Sequence, residues 1–311
     1  MSGTAQEHLE KGFALSMDGR LQEAETELRA ALLIQPDFAL AHNNLGHLLS
    51  EQGKLEEAVG ELREAIRIKP QLRISYGNLG SALKRQERYD EAIVAYRAEL
   101  EYEPRCASAY SNIGLGYQEA GDLFLAIAHY RKALEFEPEH AIVHTNLGIA
   151  LLLRGDVEVA IVEQRKAVSL APTLAKTHYN LGNALSRGTR ENWEPSAEAF
   201  QTAVILAPEW RTARVCLANA LGRVGRFDEA IAEYQQVLHL APNDEESWIQ
   251  LGLILFMRAL KEKSRGAAEA AKEAFEHALA VNPHNHVASK LLRDVKNSLR
   301  VRHRFRWPWT K

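Results

Sequence analysis

Five asparagines recur at a constant interval of 34 residues: Asn44, Asn78, Asn112, Asn146 and Asn180. A carboxamide carries an acceptor and two donors on one small planar group. A row of them can pair with the C=O and N–H of an extended peptide while asking little of its side chains. The same amides can instead serve neighbouring helices or water, and the sequence leaves both roles open. Around the last of them the residue types change. Lys176, Asn183 and Arg187, and then Asn219 and Arg223, make this part polar and basic, whereas Ile142, Ile149 and Leu152 before it are apolar. An extended ligand with an apolar anchor and an acidic or carboxylate group matches that order.

A second set of candidates lies at the C-terminus. Arg300, Arg302, Arg304 and Arg306 alternate with Val301, His303, Phe305 and Trp307. From His286 to Lys311 there are eight Lys/Arg and one acid, Asp294, whereas the first 285 residues hold 30 basic and 40 acidic side chains. Arg302, Arg304, Arg306 and Trp307 can meet an anionic partner by stacking on bases, by lying on an anionic membrane or by adding a strand to a partner's edge. A solvated, disordered tail over 300–311 is the plain alternative.

Catalytic patterns are missing from the sequence. It has no GxxxxGK phosphate loop, GxSxG elbow, HExxH zinc helix or calcium loop. Gly114 and Gly116 form a GxG, but Glu119 stands in place of the third glycine and no strand precedes it. His284 and His286 lack a third ligand. Cys106 and Cys216 are 110 residues apart with no CxxC, which argues against a disulfide framework and a thiolate zinc site. The expectation is therefore a chain that is not an enzyme and needs no cofactor or small-molecule substrate. The opening MSGTAQEHLE lacks the order of a secretion signal and no run of 18 apolar residues follows, so a cytoplasmic location is expected.

The elements that must position these residues repeat with them. HNNLG at 42–46, YGNLG at 76–80, YSNIG at 110–114, HTNLG at 144–148 and HYNLG at 178–182 return on one beat. Pro36, Pro70, Pro104, Pro138 and Pro172 keep it, and Pro208, Pro242 and Pro283 follow after steps of 36, 34 and 41 residues, so two copies hold insertions. Within one copy Tyr76, Leu79, Gly80 and Leu83 mark the buried stripe of one helix, and Ala92, Tyr96 and Leu100 that of a second. Glycines Gly19, Gly53, Gly121, Gly155 and Gly225 fall at the turn between the two, where a left-handed residue ends a helix. Each proline then closes the second helix. Gly46 with Ala58, Gly80 with Ala92, Gly114 with Ala126 and Gly148 with Ala160 place small residues where the helices cross. Ile74, Asn78, Ser81 and Arg85 point nearly opposite to the buried stripe, away from the second helices.

This pattern of aromatic, Leu-Gly, aromatic, Ala, aromatic, Ala and Pro resembles the tetratricopeptide repeat family over residues 5 to 285. The resemblance implies an all-α, right-handed superhelical solenoid of antiparallel helix pairs. Eight repeats are expected at 5–38, 39–72, 73–106, 107–140, 141–174, 175–210, 211–244 and 245–285, with a capping helix over 286–299. It also implies a concave groove in which the family binds partners, and an asparagine ladder similar to that of the repeat arm of O-linked N-acetylglucosamine transferases. The family's two-carboxylate clamp is not matched: Lys176 and Asn183 fit parts of it, but no three adjacent copies supply the set. Lys11, in place of the expected Leu, suits a terminal repeat with one face in water. The sixth copy's insertion puts Trp193 on a longer turn. The eighth copy's suggests two extended helices with Gly266 at the corner, and Val287, Leu291 and Val295 are expected to cover the last repeat. A non-catalytic scaffold binding an extended protein segment is the implied function. The alternatives are the substrate-recruiting arm of a glycosyltransferase-like enzyme, or an assembly factor touching membrane or RNA through the tail. Oligomeric state is not readable from the sequence.

Overall fold

The computed structural model describes residues 3–304, with side chains for residues 3–300. The chain divides into two compact units, residues 1–156 and 157–311. The described residues form seventeen α-helices, one 3-10 turn and no strand. Unit one holds α1 (Ala5–Met17), α2 (Leu21–Ile34), α3 (Ala39–Glu51), α4 (Leu55–Ile68), α5 (Ile74–Arg85), α6 (Tyr89–Tyr102), α7 (Ala107–Glu119), α8 (Leu123–Phe136) and α9 (Ala141–Arg154). Unit two holds α10 (Val157–Leu170), α11 (Ala175–Ser186), α12 (Trp193–Leu206), α13 (Arg211–Val224), α14 (Phe227–Leu240), α15 (Glu245–Glu262), α16 (Arg265–Val281) and α17 (His286–Arg304). Consecutive helices pack on one another within each unit.

Local chemistry sets these boundaries. Thr4 opens α1 with a reciprocal capping box, its hydroxyl accepting from the Glu7 N–H while the Glu7 carboxylate accepts from the Thr4 N–H. In α4 the buried residues Ala58, Val59, Leu62 and Ala65 form one stripe at helical spacing. Second helices end on an extended residue before proline, such as Gln35 at φ −134°, ψ 87°, because the proline ring excludes a helical predecessor. All five turn glycines have φ between 75° and 99°. Two side-chain-bearing residues take the same conformation, Glu87 at φ 61° and Lys263 at φ 56°. Lys263 therefore turns the eighth repeat, and Gly266 lies inside α16 rather than at a corner. Both helices of that repeat are extended, to 18 and 17 residues against 14 in the pair before it.

Close approach explains the other recurring glycine. A Cβ on Gly80 would lie 2.6 Å from the Tyr96 ring, and one on Gly182 or Gly252 would meet Phe200 or Phe275 at 2.8 and 2.6 Å. The second helix thus lays a buried ring against the bare backbone of the first. A further tie recurs in five repeats, at the position four residues before this glycine or its counterpart. His42, His144 and His178 place Nε2 within 2.8, 2.9 and 2.8 Å of the Pro36, Pro138 and Pro172 carbonyls. Trp248 Nε1 donates to Pro242 O at 2.8 Å and Arg214 Nη2 to Pro208 O at 3.0 Å. These histidines fasten interrepeat turns as well as packing. Lys11 is exposed, with its Nζ 2.6 Å from the Glu27 carboxylate.

The C-terminal helix departs from expectation. It continues through Arg304 rather than ending at 299, so the start of the basic stretch is helical. Ala288 and Val295 are buried on it and Leu291, Leu292 and Leu299 partly so, but Val287 is 59% exposed and does not cover the last repeat.

Candidate functional site

The asparagine row is not uniform. Asn44 is half-buried and its Oδ1 accepts from Asn43 Nδ2 at 3.1 Å. Asn78 turns its Nδ2 to Asn43 Oδ1 at 3.0 Å, which also accepts the Ser75 hydroxyl at 3.0 Å. Asn43 itself is buried, so it gathers donors from the next repeat. Asn112 and Asn146 are half-buried with no hydrogen-bonded side chain among the described residues. Asn180 is buried, with an Nδ2 that meets no acceptor. The open amides of the row are therefore those on α7 and α9. On α9, Ile142 is 61% exposed, while Ile149 and Leu152 are half-buried.

Unit two builds a more defined site. A cavity of about 220 Å³ is lined by Asn183 and Ser186 of α11, Phe200 of α12, and Cys216, Asn219 and Arg223 of α13. Asn219 Oδ1 accepts the Tyr234 hydroxyl at 2.6 Å, which fixes the amide and leaves its NH₂ outward. Arg223 donates from Nη1 to Ser186 O at 2.8 Å, with its guanidinium 5.3 Å from the Trp193 ring centroid. Arg190 lies over the same ring at 6.0 Å. Cys216 occupies the place that asparagine holds in the earlier repeats. Burial pushes its thiol up, against the opposing hydrogen bond with the Tyr179 hydroxyl, so it is held as a neutral thiol and not as a nucleophile.

Charge distinguishes this face. Lys176, Arg187, Arg190 and Arg223 are exposed and have no carboxylate partner among the described residues. The adjacent Arg226, in contrast, is held by Glu194 and Glu229 at 2.7 and 2.6 Å. Asn183, Asn219 and Arg223 are thus brought together. Arg187 stands at the end of the same helix, outside the cavity wall, and Lys176 is about 16 Å away along α11. The repeat pattern put Trp193 on a longer turn but gave no sign of its contact with Arg223, nor of Arg190. Arg190 and Trp193 belong to the 3-10 turn Arg190–Asn192 and its junction with α12, which the sixth repeat's insertion creates.

Other features carry less. A second hollow of about 300 Å³ in unit one is walled mainly by Ile66, Tyr76, Leu79, Leu83 and Val94, with Arg63 and Glu91 also in its lining. No group of three or more His, Cys, Asp or Glu able to hold a metal occurs among the described residues. No helix of the described residues is long and apolar enough to cross a membrane. Arg302 and Arg304 lie on the helical backbone of α17, and Arg306 and Trp307 lie outside the described residues.

Comparisons with known proteins agree with the helix pairing. Tetratricopeptide repeat profiles match residues 14–72, 78–135 and 112–175, and again 211–254, together more than half of the chain. No curated protein matches. Among solved structures, the C-terminal part of a TPR repeat-containing protein from Cytophaga hutchinsonii aligns over 80% of this chain and 99% of its own, at 17% identity and a TM-score of 0.65. A chain of the APC/C hetero-tetramer Cut9-Hcn1 aligns over 92% of this chain at 17% identity and a TM-score of 0.57. This chain spans 54% of that one. A MamA protein aligns over 57% of this chain and 96% of its own, at 23% identity and a TM-score of 0.50. At such identities the likeness is one of fold alone.

Proposed function

This chain belongs to the tetratricopeptide repeat family, whose helical repeats generally mediate protein–protein interaction, and on that premise we propose that it is a non-catalytic scaffold that binds an extended peptide. The contact face is that of the first helices of the repeats. In unit one Asn112 and Asn146 meet the peptide backbone. In unit two the cavity between α11 and α13 takes a carboxylate, from an acidic side chain or a chain end.

The observation that carries this reading is Arg223 beside the fixed Asn219 amide, with no carboxylate of the described residues in ion-pair range. Arg223 uses one of its five N–H groups on Ser186 O. The others, with the Asn219 NH₂, form a donor pair that a carboxylate oxygen fits. Trp193 holds the guanidinium in place by a cation–π contact.

Selection of random displayed peptides on the full chain tests this. Selected peptides should be enriched in Asp, Glu or a free C-terminal carboxylate. Their affinity by fluorescence anisotropy should fall about 10- to 100-fold in Arg223→Ala and less in Asn219→Ala, since hydrogen bonds to charged groups are worth about 1.5–3 kcal/mol. Peptides without acidic enrichment, or equal binding by Arg223→Ala, would refute the carboxylate site.

A further inference from the structure

We propose that α17 docks the protein on an anionic membrane surface, an interaction separate from peptide binding. Lys290, Arg293 and Arg300 are exposed on this helix and form no ion pair among the described residues, although Asp294 lies among them. At about 100° per residue they share one side, away from the stripe of Ala288, Leu292, Val295 and Leu299 that packs toward the last repeat. Arg304 falls at the next position of the same row, about 21 Å along the helix from Lys290. Lys296, set toward the body, is instead paired with Glu276 at 3.1 Å. Elsewhere basic side chains are commonly matched, as Arg20 is with Glu23 and Arg88 with Glu91. Lys290, Arg293 and Arg300 are left without a carboxylate partner among the described residues.

The sequence after this row adds a second signal. Phe305, Trp307 and Trp309 follow, with Arg306 and Lys311 among them. Basic residues on one helix face joined to Trp and Phe are the composition of interfacial segments, and peripheral attachment needs two such weak signals together. A plane meets a straight row of cations all at once.

Co-sedimentation of the full chain with vesicles tests the proposal. Vesicles of phosphatidylcholine with about one third phosphatidylserine should bind it, pure phosphatidylcholine should not, and added salt should release it. Lys290→Glu, Arg293→Glu and Arg300→Glu together should weaken binding by about a hundredfold, each Lys or Arg at the surface contributing several-fold. Circular dichroism should be unchanged, because the three side chains are exposed. Trp307→Ala with Trp309→Ala should weaken binding with the helix row intact. Failure to prefer the anionic vesicles, or wild-type binding by either variant, overturns the proposal. So does tighter binding to a single-stranded RNA of similar charge at the same salt.

Discussion

Glycines in α7 and α4 should respond oppositely to alanine. A Cβ on Gly114 would lie 2.8 and 2.9 Å from Tyr130 Cδ1 and Cε1, and 3.1 Å from the Ala126 carbonyl. Tyr130 is fully buried, so its ring has nowhere to move. Alanine's helix preference favours the substitution by about 1 kcal/mol, and overpacking opposes it by about 1–3 kcal/mol. The net effect of Gly114→Ala is a loss of about 0–2 kcal/mol, with Gly114→Leu costing more. Gly60 is exposed within α4 and has no atom within 4 Å of a built Cβ, so Gly60→Ala keeps the full gain of about 0.5–1 kcal/mol. Both residues belong to unit one, so urea titrations followed by circular dichroism compare them in the same unit. Midpoints are the quantity to compare, because repeat arrays need not unfold in one step. A Gly114→Ala midpoint raised as far as that of Gly60→Ala would refute the close approach. Repeating Gly114→Ala in a Tyr130→Ala background should abolish its cost, and an unchanged cost would show that the ring is not its source.

Three other effects follow from the same geometry. Asn43→Ala removes the shared acceptor of Ser75 and Asn78 and should cost about 1–3 kcal/mol, whereas Asn112→Ala and Asn146→Ala should stay within about 0.5 kcal/mol in the same titrations. Glu87→Gly should raise stability by about 1 kcal/mol and with it the urea midpoint, because a left-handed residue without a Cβ is unstrained there; a lowered midpoint would contradict this. Burial, helped by the Arg97 charge, lowers the affinity of His129 for a proton, and the ring is stacked on Tyr110 and Tyr117. The unfolded chain then binds that proton more readily. The contribution is present above the unfolded value and is lost as pH falls through the folded one, so melting temperature should drop between about pH 7 and 5, less steeply in His129→Gln.

Periodicity made the helix pairs, the turn glycines and the closing prolines legible, because each is a local rule repeated in register. It assigned every Asn of the row to one face, but it could not tell what lay beside that face. Asn43, the immediate neighbour of Asn44, takes up the Asn78 amide, a pairing across two repeats that no local pattern encodes. The C-terminal helix was misjudged for a related reason. Arg alternating with apolar residues reads as a period of two, yet no proline or glycine occurs between Asn285 and Trp307, and arginine is a good helix former. The backbone therefore stays helical through Arg304. Trp193 was legible as a residue of the longer turn, but its contact with Arg223 and the role of Arg190 were not, because inserted residues have no counterpart in the other copies.

That last point bears on specificity. Identical rungs would accept a peptide in any register, since moving it by one repeat exchanges one carboxamide for another. Discrimination needs a place where the repeats differ. Between α11 and α13 they differ three times: Cys216 stands where asparagine was, the insertion brings Trp193 against Arg223, and Tyr234 fixes Asn219. A carboxylate seated there is not matched by moving the peptide to a rung without Trp193 and the amide fixed by Tyr234. On this reading the irregular sixth and seventh repeats set the register within unit two. Grafting Arg223 and Trp193 onto another repeat should then create a second register, while removing them should leave weak binding that tolerates any sequence.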